Sequence, residues 1–138
     1  MWWLMLVAAM AWEPNAEESA MYRALSARDP HPTCTSVEAL AANPVETLTS
    51  MVQNVEMPPW VPMRAATCLV ERHSEAIEPE LIHWVSDTEK KGLALLVFRR
   101  LDFLPDEVEG RVIGRAQKGP FKLELNEHLL KRSQPSNR

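Results

Sequence analysis

From residue 44 onward, apolar positions recur at intervals of three and four. After Pro44, the residues Val45, Leu48, Val52 and Val55 share one helical face. Leu81, Ile82 and Val85 do the same after Pro79, and Val108, Val112, Ile113 and Ala116 form a stripe after Pro105. The run Leu93-Ala94-Leu95-Leu96-Val97-Phe98 is apolar throughout, between Glu89-Lys90-Lys91 and Arg99-Arg100. That predicts a helix buried on most sides. It falls short of the roughly 20 residues a membrane-spanning helix needs. Only Phe121-Lys122-Leu123-Glu124-Leu125 alternates with period two. It fits either an extended tail or the start of a last helix over Leu129 and Leu130.

Helix starts are marked as well. Thr35-Ser36-Val37-Glu38 reads as a capping box with Thr35 as N-cap, and Ser86-Asp87-Thr88-Glu89 as another. Asn43 precedes Pro44, a cap followed by proline in the first turn. Pro62 and Pro79 suit first turns, Pro105-Asp106-Glu107 brings acids to a helix start, and Gly119-Pro120 is a stop. The predicted fold class is all-α, built from stacked antiparallel helix pairs.

The pattern repeats. An offset of 27 pairs Arg64 with Lys91, Leu69 with Leu96, Val70 with Val97, Leu81 with Val108 and Val85 with Val112. An offset of 33 pairs Leu48 with Leu81 and Val52 with Val85. The unit is a longer helix, a short turn and a second helix opened by proline, over 60–86 and 87–116, with a degenerate copy over 34–56. The segment Val61-Pro62-Met63-Arg64-Ala65-Ala66-Thr67-Cys68-Leu69 resembles the first helix of HEAT-like repeats. Pro79-Glu80-Leu81-Ile82-His83-Trp84-Val85-Ser86-Asp87 resembles the second. The resemblance implies a short α-solenoid of two to three repeats. It also implies an Asp87 that accepts hydrogen bonds at the inter-repeat turn and an Arg64 that faces a neighbouring Asp. A single helix pair cannot bury its apolar face alone, but stacked pairs share one core. Leu69, Leu81, Val85, Leu96, Val97, Val108 and Val112 are the expected core. Gly110 and Gly114, four apart, would admit a close neighbouring helix.

Residues 2–11 are apolar and uncharged, and Ala9-Met10-Ala11 places small residues as signal peptidase requires. The expected organisation is a signal peptide over 1–11 and a polar segment with a short helix over 12–33. A helical repeat domain follows over 34–132, then a polar tail over 133–138. The leader implies export, periplasmic or secreted; without it the chain would be cytoplasmic. The run lacks a preceding Lys or Arg and is short for a signal, and a first helix of the domain is the other reading of it. Cys34 and Cys68 are then a candidate disulfide, or else two buried thiols.

The 138 residues carry a net charge of −4. Residues 1–60 hold two Arg against seven acids, a net of −5, and the remainder thirteen Lys/Arg against twelve acids, a net of +1. Lys90, Lys91, Arg99, Arg100, Arg111, Arg115 and Lys118 lean basic, but acids interleave, so nucleic acid is not the expected partner. No phosphate loop, dinucleotide turn, nucleophile elbow or His-Glu-x-x-His is present. His31 with Cys34 and Cys68 with His73 have zinc-ligand chemistry, but the five-residue step suits one helix face poorly. No cofactor, metal or catalytic residue is expected. The reading is a non-catalytic protein-binding or scaffold module of the cell envelope or exterior, with an unknown protein partner. Trp60, Arg99 and Arg100 are candidate contact residues. A small helical enzyme accessory or cofactor-handling HEAT-like protein is one alternative, and a nucleic-acid-binding helical repeat the other.

Overall fold

The computed structural model describes residues 12–134. Residues 1–11, where a signal peptide is expected, and the last four residues lie outside them. Among the described residues the chain forms eight α-helices and no strand. They are α1 (Ala16–Ser26), α2 (Cys34–Glu38), α3 (Pro44–Asn54), α4 (Trp60–His73), α5 (Glu78–Ser86), α6 (Lys91–Arg99), α7 (Asp106–Ala116) and α8 (Lys122–Ser133). Short 3₁₀ turns over Thr88–Lys90 and Leu101–Phe103 link α5 to α6 and α6 to α7.

The punctuation works much as its chemistry requires. Asn15 caps α1 through a complete capping box with Glu18. Asn43 accepts from the Glu46 N–H, with Pro44 in the first turn of α3. Two caps sit one or two residues from their expected places. The N-cap of α2 is Thr33 rather than Thr35, because the helix already begins at Cys34. Ser86 ends α5, so Asp87 is the first residue free to cap, and its carboxylate accepts from the Glu89 N–H at 2.9 Å. The alternating stretch after Gly119-Pro120 is helical. Phe121 and Leu125 are buried and the intervening Lys122, Leu123 and Glu124 turn outward.

The core is continuous from Met21 to Leu125. All seven expected core residues are buried, with Leu96, at 4%, the most exposed. Within the apolar run, Ala94, Leu96, Val97 and Phe98 are buried, while Leu93 and Leu95 remain partly exposed at the helix flanks. Helix α4 packs on α6 and α6 on α8; α5 packs on α7. Helix α3 packs chiefly on α4. The 12–33 segment is not only polar: α1 buries Met21 and Leu25 in the same core, against α3 and α4.

The glycines behave differently from their expected role. Gly110 and Gly114 meet no neighbouring helix, and a Cβ at either would have no atom within 4 Å. The close approach falls at Gly119, where a Cβ would sit 2.9 Å from the Val85 carbonyl oxygen. A side chain there would collide with backbone, so the turn after α7 requires glycine.

Candidate functional site

The amino-terminal half is clasped to α4. Cys34 and Cys68 stand at disulfide distance, with their Cα atoms 5.5 Å apart, tying α2 to α4. Beside them the Glu38 carboxylate is only 10% exposed and takes Arg72 Nε at 2.8 Å together with the His73 ring. Arg64 does not face an acid. Its guanidinium donates to the Leu25 carbonyl at 2.7 Å and to that of Ala27, and meets His31 Nδ1 at 2.9 Å. These carbonyls are orphans of the α1 C-terminus, where a cation also opposes the helix dipole. His31 and His73 therefore have partners of their own. Among the described residues no group of three His, Cys, Asp or Glu is placed to hold a metal ion.

The candidate contact residues separate. Trp60 is half-buried. Its indole N–H donates to the Ser26 carbonyl at 3.2 Å, and the Arg28 guanidinium lies 4.9 Å from its ring centre. That side chain closes the end of α1 rather than standing free. Arg100 is engaged by Glu71 at 3.1 Å. Arg99 is exposed. Of the same basic lean, Lys91 approaches Glu124 at 4.0 Å and Arg111 meets Glu78; further along, Lys131 meets Glu127 and Arg132 meets both Asp102 and Glu109.

Openings lie on the other side, along α5. On one flank an open furrow runs between α3 and α5, past the start of α6. It consists of two adjoining hollows of about 310 and 360 Å³ that share Val52, Gln53 and Lys90. Trp84, Pro79, Met63 and Leu93 supply its apolar surface, and His83, Glu80 and Glu89 its polar surface. Helix α3 buries Thr47, Leu48 and Met51 and packs chiefly on α4, while Val52, expected on the same apolar face, is only half-buried and lines the furrow with Gln53. On the other flank a groove of about 450 Å³ lies between α5 and α7, lined by Glu78, Ile82, Arg111, Gly114, Arg115 and Lys118. Pro79, His83 and Ser86, the exposed ridge of α5, stand between the two.

The α5–α7 groove is polarised. Arg111 Nε and Nη2 grip the Glu78 carboxylate at 2.7–3.1 Å. The hydrogen bond from Arg111 holds Glu78 below the usual carboxylate value, and the same contact raises Arg111. Glu107 adds to the field at Arg111. No acid within salt-bridge distance is found for Arg115 or Lys118 among the described residues. The sequence signal for this face was partial. Gly110 and Gly114 stand out, and His83 and Trp84 fall within the segment resembling a second repeat helix, but nothing in the spacing says that α3 and α5 part.

Comparison of the chain with protein-family models, with curated proteins and with solved structures returns no match.

Proposed function

We propose that this chain is a non-catalytic protein-binding or scaffold module, built as a short HEAT-like stack and working in the cell envelope or outside the cell. The furrow between α3 and α5 carries the reading. It is an elongated, open depression with an apolar floor and polar edges, the form in which a partner's segment is recognised by shape and a few polar contacts. Its apolar surface comes from Val52, Pro79, Met63 and Leu93, with only the edge of Trp84 reaching it, since that indole is 4% exposed. The repeat reading is favoured by the order of packing, in which α4, α6 and α8 touch in sequence and α5 touches α7. Export is favoured by a cysteine pair at disulfide distance, since such bonds persist in oxidising compartments. No helix among the described residues is long and apolar enough to cross a membrane.

The test is site-directed. A photo-crosslinking residue at His83 should capture a protein from the native envelope fraction, and one at Arg99 should not. Gln53→Trp, which fills the furrow from an exposed position, should abolish the His83 adduct while leaving the melting temperature in place. Equal capture from both sites, or capture indifferent to Gln53→Trp, would overturn the reading. N-terminal sequencing of the native protein should find a start at or near Trp12. Met1 on a cytoplasmic protein would remove the export half.

A further inference from the structure

We infer that the groove between α5 and α7 is a second docking site, and that its occupant is an acidic segment of a partner protein carrying an apolar side chain. The floor is Ile82 and the bare backbone at Gly114, where a Cβ would find open space. An aliphatic side chain laid there leaves water without displacing any side chain of the groove. The charges set the sign and the direction. At one end Arg111 is occupied by Glu78, and its Nη1 makes no hydrogen bond among the described residues. At the other end Arg115 and Lys118 line the groove with no acid in reach among the described residues. A carboxylate bound there meets two cations, and charge-assisted hydrogen bonds to them are stronger than neutral ones. A basic segment would meet the same cations and be repelled. Helix-dipole complementarity at the end of α7 accounts for the presence of Arg115. It does not account for Gly114, an exposed glycine inside the same helix where alanine is the better helix former. A groove that must stay open accounts for it.

This site goes beyond the furrow reading and shares none of the furrow's lining residues, so the two fail separately. The probe is a labelled peptide alternating leucine and glutamate, titrated by fluorescence anisotropy. Its controls are the same peptide with glutamine for glutamate and with lysine for glutamate. The acidic peptide should bind, more weakly as salt rises, and neither control should. Arg115→Glu with Lys118→Glu should weaken it about tenfold or more. Gly114→Leu should block the floor and abolish binding while raising the melting temperature, because leucine is the better helix former. That pairing of outcomes separates a blocked groove from a misfolded protein. Gln53→Trp, the furrow variant, should leave the peptide bound. Unchanged binding in Gly114→Leu, equal binding of the glutamine peptide, or no binding of the acidic peptide would overturn the inference.

Discussion

Helices α1 and α2 and helices α4–α7 belong to one core but are held in it by different means. Between α4 and α7 the attachment is spread over layers of aliphatic residues, Leu69, Val70, Leu81, Val85, Leu96, Val97, Val108 and Val112, none more than 4% exposed. Surface ion pairs such as Glu71–Arg100 and Glu78–Arg111 add little to that, since water and salt screen exposed charges. Helix α1 buries Met21 and Leu25, and α2 buries only Val37. Their place is set instead by point contacts: the cysteine pair, Glu38 on Arg72 and His73, Arg64 on two carbonyls, and the Tyr22 hydroxyl on the Met57 carbonyl at 3.1 Å. A layered core resists local loss because every residue has many neighbours. A clasped segment depends on a few contacts and can open while the rest stands.

The largest test of this contrast is in the layers. Leu96→Ala should cost roughly 2–5 kcal/mol, read as a lower melting temperature for the whole chain, since truncating a buried leucine leaves a cavity. A variant that melts with the wild type would mean that α6 does not hold the core together. Next comes the covalent clasp. The denatured, unreduced protein should titrate no free thiol. Replacing Cys34 and Cys68 by serine should cost about 3–4 kcal/mol in the chain-entropy account. Hydrogen exchange should then quicken in α1 and α2 well before α5 and α7. Uniform loss of protection would erase the distinction between the two regions.

Arg64→Ala should cost about 0.5–1.5 kcal/mol, because it removes the donor of the part-buried Leu25 carbonyl and of the exposed Ala27 carbonyl, which water can replace in part. Urea melts followed by a probe on α1 should show it more strongly than a probe on α7. The smallest effect is electrostatic. Ser50 and the Asn15 backbone N–H hold the Glu18 carboxyl below its ordinary value of 4.5, against some opposing burial. A carboxyl lowered in the folded state contributes its full stability above the unfolded value and loses it as pH falls through the folded one. Glu18→Gln should therefore flatten the acid limb of the stability profile below pH 4.5 and be nearly silent at low pH. An unchanged acid limb would mean that Glu18 does not tie α1 to α3.

Helix class, most helix starts and the core stripe were legible because period, caps and prolines act locally. Of the stripe Val108, Val112, Ile113 and Ala116, all but Ile113 are buried, and Ile113 packs partly exposed at its edge. Phe121–Leu125 was ambiguous because five residues with alternating leucines satisfy both periods, and only packing on α6 selects the helix. The Arg64 contact was misassigned for a related reason. A repeat motif says which face a side chain occupies, but the acceptors that await it come from a segment more than thirty residues away.

What the amino-acid sequence determined by itself is therefore local and periodic. It set where most helices begin and end and which face of each is apolar. The tertiary structure decided the rest: that α3 leans on α4 and leaves α5 bare on one flank, that Gly119 rather than Gly110 or Gly114 carries the close approach, and that Arg115 and Lys118 border an open groove. Those outcomes depend on the distances between helices. Such distances come from the packing of all the layers together, and no single segment encodes them.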